Sequence, residues 1–460
     1  MIPLEEAMNI VIAGAGKVGS TIAQRLCREG HDITLIDERR EALLKASDTM
    51  DVMGVCGSCA VPSVLEEAEA GKAEVFIAAT GNDKANLVAC LLARKLGAKH
   101  TIARLRNQEY LQSRDSLRDT MDLNLAINPD YVTAEVISRV LQFPAATQVD
   151  SFPDCELEIV TFRIAKNSPL HGMTLSRLPS LVKSRVLVCC AERDGEFCIP
   201  DGNFLLKAGD RISVTAPPRA LRKFFSAVGA SNRPVKNVIL LGGSRIAQHL
   251  TLLLESTGVR VSILERDYDR CQSLAEKLPG ADIICADGAD TAVLQQSGLP
   301  DADGFVALTN FDEDNLILSM YAEKLGVKRV VSKVNNDKFI ELLRDVFPDS
   351  TLSPKNLVAE RIEGYVRGLA HASDKSTIEA LYYLGDQNVT ATEFVVGEKA
   401  SCVGHTLAEL KIKPGVLLAA VVRGGKSFLP NGSTSLRPGD RAVVVTANRD
   451  ILNLDDILAG

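Results

Sequence analysis

A glycine-rich turn near the start of the chain has the residue types and spacing of a nucleotide-binding loop. Gly14, Gly16 and Gly19 form a Gly-x-Gly-x-x-Gly pattern between an apolar, strand-sized run and a helical pattern. Gly14 permits a tight turn, Gly16 has no side chain to obstruct a pyrophosphate, and Gly19 lets helix and strand pack closely. Lys17 and Val18 begin the helix, whose N-terminal amide groups and partial positive charge favour phosphate. The turn therefore predicts a phosphate-bearing cofactor.

An acidic residue follows the next strand-sized run. Asp37 lies 23 residues after Gly14 and is followed by Glu38. A carboxylate at this place accepts hydrogen bonds from a ribose diol and repels a 2′-phosphate, which favours NAD(H) over NADP(H). Arg39 and Arg40 come directly afterwards and weaken that preference. The alternative is a structural glycine turn in a domain that binds no nucleotide.

Polar residues also follow the fourth and fifth strand-sized runs. Thr80, Asp83 and Asn86 come after the fourth run, and Arg104 ends the fifth. Ligands of doubly wound sheets bind at the carboxyl ends of the strands, so these side chains are candidates to line the phosphate or second-nucleoside side. Two alternatives stay open: Asp83 serves only as the N-cap of the helix that runs to Leu96, and Arg104 is an ordinary surface arginine.

Most of this pattern recurs 228 or 229 positions later. The matching pairs are Gly14 and Gly242, Lys17 and Arg245, Asp37 and Glu265, Thr80 and Thr309, and Arg104 and Lys333. In the second copy, Ser244 replaces the second glycine and Ala247 the third, and a serine there crowds a pyrophosphate. Asp287 and Asp290 are acids that the first copy lacks. Nucleotide binding by the second copy, of a different or weaker kind, is left open.

The repeat extends over nearly the whole chain and predicts two copies of a two-part unit. The first part alternates strand-sized apolar runs with helical patterns, which is typical of an α/β, Rossmann-type doubly wound parallel sheet. The strand-sized runs lie at 10–13, 33–36, 52–55, 75–79 and 101–103, and at 238–241, 261–264, 283–286, 305–308 and 330–332. The second part has short strands at 159–164, 186–190, 198–199 and 211–215 separated by turn residues. It predicts a small α+β domain after each Rossmann domain.

The same pattern predicts six segments. They are a first Rossmann domain at 8–128, a crossover-helix linker at 129–150, a first small domain at 151–233, a second Rossmann domain at 235–353, a second linker at 354–386 and a second small domain at 387–460. Amphipathic patterns at 131–141 and 357–369 predict linker helices, each of which is a candidate to cross to a neighbouring subunit. The first seven residues are expected to be an extension before the first strand.

Composition and charge limit the possible partners. The chain has 460 residues, 52 Lys and Arg against 59 Asp and Glu, and no Trp. A net charge of −7 does not build the positive field that sequence-independent nucleic-acid binding needs. No apolar run approaches the roughly 20 residues that span a bilayer, and the N-terminus lacks the basic segment of a signal peptide. A cytoplasmic protein that binds no nucleic acid is expected.

Catalytic and metal-binding patterns are absent from the sequence. The six His fall in no shared motif, and no Gly-x-Ser-x-Gly elbow, His-Glu-x-x-His or P-loop lysine motif occurs. The 11 Cys are scattered, as expected for reduced thiols. Cys56 and Cys59 form a Cys-x-x-Cys pattern without a second pair or a His cluster, so ordinary loop residues are favoured over a metal or redox site. No enzyme and no metal site is predicted.

The chain resembles the TrkA family, the regulatory proteins of bacterial Trk potassium uptake systems, which carry two RCK (regulator of potassium conductance) units in tandem. The resemblance covers about residue 8 to the C-terminus. The segments that carry it are 9–19 with Asp37, 79–86, 103–107, 169–175, 242–247 and 436–441. The doubled order of Rossmann and small domains is more specific than any single motif.

The resemblance implies a homotetramer, a ring of eight RCK units, at the inner face of the cell membrane. It implies docking on a TrkH- or TrkG-like membrane potassium transporter, and binding of NAD(H) and of ATP or ADP that changes potassium flux. In the first copy it assigns the nucleotide to Gly14, Gly16, Gly19, Asp37 and Arg104, and in the second to the positions of Gly242, Glu265 and Lys333. The rival functions are an NAD-dependent oxidoreductase and an RCK regulator of another ion transporter.

Overall fold

The computed structural model of the chain describes residues 7–107, 109–110, 120–143, 146–151, 157–229, 235–343, 351–370, 376–384, 389–447, 451 and 453–459. The chain forms two compact units, each made from two separate stretches. One unit comprises Met1–Ser138 and Lys236–Val366, and the other comprises Arg139–Val235 and Arg367–Gly460. Each unit therefore joins corresponding parts of the two repeats.

The first Rossmann domain contains a six-stranded parallel sheet in the order β3-β2-β1-β4-β5-β6. Its strands are β1 Asn9–Ala13, β2 Asp32–Asp37, β3 Val52–Cys56, β4 Val75–Ala78, β5 His100–Arg104 and β6 Leu125–Ile127. Its helices are α1 Lys17–Arg28, α2 Arg40–Ser47, α3 Pro62–Glu67 and α4 Asp83–Leu96. The strand order reverses between β1 and β4, so the loops after these two strands diverge and leave a crevice at the carboxyl edge.

A crossover helix, α5 Pro129–Gln142, leads to the first small domain. The antiparallel sheet of that domain has the order β10-β9-β11-β8-β7. Its elements are β7 Ala146–Ser151, β8 Glu158–Arg163, α6 Leu178–Leu181, β9 Leu187–Arg193, β10 Glu196–Cys198, β11 Arg211–Ala216 and α7 Pro218–Ala227. Helix α7 packs on the sheet through Phe224 and Phe225, whose rings meet Phe162 edge to face.

The second Rossmann domain repeats the first, with the strand order β14-β13-β12-β15-β16-β17. Its strands are β12 Asn237–Leu241, β13 Arg260–Glu265, β14 Asp282–Cys285, β15 Gly304–Ala307, β16 Arg329–Lys333 and β17 Thr351–Leu352. Its helices are α8 Arg245–Glu255, α9 Tyr268–Lys277, α10 Thr291–Gln296, α11 Asp312–Lys324 and α12 Asp337–Leu343. The equivalence of the two sheets means that equivalent loops form equivalent carboxyl edges.

The second crossover helix, α13 Pro354–Ala370, precedes the second small domain. The antiparallel sheet of that domain has the order β18-β19-β22-β20-β21. Its strands are β18 Ser376–Leu384, β19 Val389–Val396, β20 Val416–Arg423, β21 Lys426–Phe428 and β22 Arg441–Thr446. The two small domains share a buried apolar cluster that includes Ile159, Cys189, Ala419 and Val443.

Within its unit, each crossover helix contacts the Rossmann domain of the other copy. The Tyr131 ring of α5 meets the His249 ring of α8 at 5.7 Å, nearly edge-on. Arg25 of α1 forms ion pairs of 2.9 and 3.0 Å with Glu360 and Glu363 of α13. The two Rossmann domains are therefore joined reciprocally inside one chain. Crossing to a neighbouring subunit remains a prediction.

The predicted fold class is confirmed, and five strands of each Rossmann sheet lie where the apolar runs predicted them. The sixth strands, β6 and β17, were not predicted, because runs of three and two residues give no periodic signal. The outer strand β18, and all but the last residue of β7, fall inside the predicted linkers. The six predicted segment boundaries stay predictions.

Candidate functional site

The glycine turn of the first copy connects β1 to α1. Gly14 has a φ of +105°, and a Cβ atom there would lie 3.0 Å from the Thr80 amide nitrogen. A Cβ atom on Gly19 would lie 1.8 Å from the Gly14 carbonyl oxygen. Gly16, the N-cap of α1, faces open space, since a Cβ atom there meets no atom within 4 Å. Backbone geometry thus requires the outer two glycines, and the middle one leaves room in front of the helix N-terminus.

Asp37 stands at the end of β2 and supports this turn. Its Oδ2 atom accepts a hydrogen bond of 2.8 Å from the Ala15 amide, and its Oδ1 atom accepts one of 2.9 Å from the Arg39 amide. The Arg39 guanidinium lies 3.1 Å from the same carboxylate. Burial opposes ionisation of Asp37, but the bonds from Arg39 and Ala15 outweigh it and hold its pKa below the usual value. An ionised acceptor is therefore in place where the sequence predicts a ribose.

Asn86 and Asp83 tie α4 to the neighbouring strand ends. Asn86 is fully buried; its Oδ1 atom accepts from the amide and hydroxyl of Thr80, and its Nδ2 atom donates to the carbonyls of Thr80 and Arg104. The Asp83 carboxylate accepts 2.8 Å hydrogen bonds from the amides of Arg106 and Asn107. These two side chains therefore position the loops.

The N-cap of α4 is Asn82, whose side chain accepts from the amides of Lys84 and Ala85. The alternative that made Asp83 the N-cap is therefore wrong, because the helix begins at Asp83 itself, one residue earlier than an Asp83 cap would place it. The second copy repeats the ties: Asn315 bonds to Thr309 and to the Lys333 carbonyl, and Asp312 accepts from the amides of Asn335 and Asn336.

Arg104 is a buried cation at the carboxyl edge of the sheet, so the surface-arginine alternative is wrong. One guanidinium nitrogen donates to the Thr80 carbonyl, at 2.6 Å. Its Nε atom is buried without a hydrogen-bond partner. Burial, together with the charges of Arg106 and Arg245, lowers the pKa of Arg104 to about 10, although Asp130 and Asp83 oppose this. The group stays charged at neutral pH, so an incoming anion would relieve both the spare donor and the repulsion.

Eight of the residues that the sequence predicts for the first-copy site line one cleft of about 940 Å³. The predicted residues that reach it are Gly14, Gly16, Lys17, Val18, Asp37, Glu38, Thr80 and Arg104. Gly19, Asp83 and Asn86 do not line the cleft. Gly19 shapes the turn, and the hydrogen bonds of Asp83 and Asn86 hold the loops behind the cleft wall. The Cys-x-x-Cys loop contributes Gly57, Ser58 and Cys59 to the wall.

The second Rossmann domain also lines this cleft. Ser244 and Arg245 at the start of α8, and Lys333 at the end of β16, belong to its wall. Burial lowers the pKa of Lys333, a shift that the carboxylates of Asp312 and Asp130 oppose and the Lys17 charge reinforces. Cations from both copies therefore face a common space, which the sequence could not place.

The second copy has its own, smaller pocket of about 120 Å³ beside its glycine turn. Glu265 repeats the role of Asp37, since its Oε2 atom accepts from the Gly243 amide at 3.0 Å. Ser244 is the N-cap of α8, and its hydroxyl accepts from the Ala247 amide at 3.3 Å. One of the amides that a phosphate would use is thus already bonded. Gly242, Glu265, Thr309 and Asp287 line this pocket, whereas Lys333 and Arg245 line the larger cleft instead.

Two features of the described residues bear on the function. They hold no group of three or more His, Cys, Asp and Glu arranged to bind a metal ion. None of their helices is both long and apolar enough to span a bilayer.

Comparisons with known proteins identify both domain types twice. The model of the TrkA-N domain matches residues 10–129 and 238–354, and the model of the TrkA-C domain matches residues 159–229 and 391–459. The chain is 28% identical over 446 residues to the Trk system potassium uptake protein TrkA of Vibrio alginolyticus, covering 96% of this chain and 96% of that protein.

Two solved structures share the fold. The crystal structure of the GsuK RCK domain has a TM-score of 0.62 at 18% identity and covers 96% of this chain and 93% of that one. The GsuK channel bound to NAD has a TM-score of 0.61 at 17% identity, covering 99% of this chain and 80% of that one. At these identities the likeness is one of architecture.

Proposed function

Because the chain belongs to the TrkA family, we propose that it is a nucleotide-binding regulatory subunit of a potassium uptake system. It controls a TrkH- or TrkG-like membrane transporter in response to NAD(H) and to ATP or ADP. The observation that carries the proposal is the first-copy cleft, where an intact glycine turn, an ionised acceptor and an unsatisfied buried cation lie together. The relative from Vibrio alginolyticus, a potassium uptake protein by name, supports the transport role.

The nucleotide fits the first-copy cleft by its chemistry. Asp37 would accept the ribose hydroxyls, and the space in front of Gly16 would take the pyrophosphate against the start of α1. Arg104 and Lys17 would pair with phosphate oxygens, which suits a dinucleotide as well as an adenine nucleotide. The nucleotide would act as a regulatory ligand, which these residues bind and orient.

A bound nucleotide would touch both copies. The cleft includes Gly16 and Arg104 from the first Rossmann domain and Arg245 and Lys333 from the second. A ligand that binds two arrangements of these domains unequally shifts the equilibrium between them. Coupling of about 1–3 kcal/mol would change transporter activity about 5- to 150-fold.

The second-copy pocket takes a lesser part in this proposal. Ser244 bonds to an amide at the helix start, and the pocket has a small fraction of the volume of the first-copy cleft. Phosphate binding there would have to break the serine cap, so a weaker or different ligand is expected.

The assembly belongs to the proposal as well. The chain would form a homotetrameric ring of eight RCK units that docks on the transporter at the cytoplasmic face of the membrane. Conformational changes at each nucleotide cleft would then be transmitted to the transporter pore. The fold shared with the GsuK RCK domain supports RCK architecture for each half of the chain. Size measurement in solution and co-purification with the transporter test these two points separately.

The rival function, an NAD-dependent oxidoreductase, differs from the proposal in requiring turnover of the bound nucleotide. The ionisable residues of the cleft wall are Lys and Arg side chains and the acids Asp37, Glu38 and Asp130. No histidine lines the cleft in the described part of the chain. We therefore expect NADH to bind without turnover. Steady loss of nicotinamide absorbance with a defined carbonyl substrate would favour the enzyme instead.

Replacing Asp37 by Ala tests the assignment of the site. The change removes the ribose acceptor and the bond to the Ala15 amide, so NADH and ATP should both bind more weakly, by about 10-fold or more. Glu265→Ala is the matched control, because it makes the same change in the second copy. Titration calorimetry with each nucleotide measures the effect, and unchanged curves for Asp37→Ala would disprove the assignment.

A further inference from the structure

Two cysteines of the second Rossmann domain lie side by side. Cys271, in the first turns of α9, donates from its Sγ atom to the Glu265 carbonyl at 3.2 Å. Cys285, the last residue of β14, is the strand partner of Glu265 in β13. The Ala286 amide donates to the same Glu265 carbonyl at 3.0 Å. The Cys271 thiol is therefore bonded to the carbonyl of the residue that pairs with Cys285, which brings the two cysteines together.

The two thiols differ in their access to solvent. Cys285 is exposed, whereas Cys271 of α9 is buried. Burial, together with the adjoining Cys285 thiol and the carboxylates of Glu265 and Asp267, raises the pKa of Cys271 to about 11. A dissolved oxidant therefore reaches Cys285, and Cys271 is held next to it as a resolving thiol.

The first copy has one half of this arrangement only. Cys56 ends β3 and is the strand partner of Asp37, so it occupies the place of Cys285. The place of Cys271 in the first copy is taken by Leu43, which is buried in α2. The paired arrangement is thus a property of the second copy, and Cys56 supplies a natural control.

We propose that Cys271 and Cys285 are a reversible redox site, oxidised to an intramolecular disulfide by low-molecular-weight disulfides. The Cys285 thiolate attacks one sulfur of the small disulfide, forms a mixed disulfide and releases one thiol. Cys271 then loses its proton to water and attacks the Cys285 sulfur, which releases the second thiol. Two protein thiols are oxidised and one small disulfide is reduced to two thiols, so electrons and protons balance.

A disulfide between Cys271 and Cys285 would lie beside the second-copy glycine turn. Glu265 holds the Gly243 amide at the second-copy glycine turn, and Arg270, next to Cys271, donates to the Gly243 carbonyl at 3.0 Å. A disulfide would fasten the start of α9 to the end of β14 directly beside these contacts. The redox state would then act on the wall of the second-copy pocket. This inference does not depend on which nucleotide the first-copy cleft binds.

Oxidised glutathione applied to the purified full-length chain tests the proposal. We expect peptide mapping to show Cys271 joined to Cys285, with the linked peptides two hydrogen atoms lighter than the separate ones and no glutathione on either cysteine, all reversed by dithiothreitol. Cys285→Ser should abolish the linkage, Cys271→Ser should leave Cys285 as a mixed disulfide with glutathione, and Cys56→Ser should change nothing at this site. Mapping of the unaltered chain decides the matter even if Cys271→Ser fails to fold.

Three outcomes would overturn the proposal. They are a stable glutathione adduct on Cys285 in the unaltered chain, a linkage that joins other cysteines instead, and no reaction of Cys285 at all.

Discussion

The substitution Gly16→Ser gives the first copy the residue that the second copy has at the equivalent position. A Cβ atom at position 16 meets nothing within 4 Å, and the backbone there is extended, with φ −79° and ψ −174°. Serine is a favourable N-cap in this conformation, as Ser244 illustrates at the start of α8. The free energy of unfolding should therefore stay constant or rise by about a few tenths of a kcal/mol.

Nucleotide binding should respond in the opposite way. The serine hydroxyl would accept a hydrogen bond from the α1 amide that corresponds to Ala247, and its Cβ would enter the space in front of the helix. Loss of one hydrogen bond from an amide to a charged phosphate costs about 1.5–3 kcal/mol. At 1.4 kcal/mol per decade, the affinity for NADH and ATP should fall about 10- to 150-fold.

Two measurements on the same protein test this reasoning. Titration calorimetry gives the affinity for each nucleotide, and thermal unfolding without nucleotide gives the stability. The reciprocal substitution Ser244→Gly is the matched control: it frees the Ala247 amide and should strengthen nucleotide binding at the second-copy pocket instead of weakening it. Nucleotide affinity equal to that of the unaltered chain, or a loss of affinity accompanied by a large loss of stability, would refute the reasoning.

Three further substitutions test other parts of the site. Gly19→Ala should displace the turn and abolish nucleotide binding in titrations, because its Cβ would lie 1.8 Å from the Gly14 carbonyl oxygen; binding as in the unaltered chain would contradict this. Asn86→Ala should lower the free energy of unfolding in urea by about 1–3 kcal/mol, because it leaves buried polar groups of the strand ends unpaired; a stability equal to the original would show that the ties are dispensable. Arg245→Ala should weaken the binding of ATP more than that of NADH, because it removes a cation that lines the cleft together with Arg104. An equal effect on both ligands would argue against a contact between the second copy and the terminal phosphate of ATP.

The fold was predictable because its signals are local or repeated. Apolar runs bounded by turn residues located ten of the parallel strands, and the offset of 228 or 229 residues made each half support the other. The glycine turn was equally predictable. Gly14 and Gly19 are required by backbone contacts that are close in sequence or lie along one edge of the sheet. The short strands β6 and β17 could not be predicted, because two or three residues are too few to show a hydrophobic periodicity.

The wall of the cleft was only partly predictable, because residue type does not reveal which way a side chain turns. Asn86 and Arg104 look alike in sequence as polar candidates, yet Asn86 is fully buried behind the cleft and Arg104 is a largely buried cation that lines it. Lys333 and Arg245 were expected at a second, separate site. Their place in the first-copy cleft depends on how the two Rossmann domains join, which no local pattern encodes.

Potassium flux through a TrkH-like transporter, reconstituted in vesicles with this chain, shows whether nucleotide binding controls transport. Flux should change about 5- to 150-fold when NADH, ATP or ADP is added at saturating concentration. With Gly16→Ser, the complex with the transporter should still form, and the response to nucleotide should be lost or shifted to much higher concentrations. Flux that is the same with and without every nucleotide, while the complex is intact, would mean that this chain does not regulate the transporter through nucleotide binding.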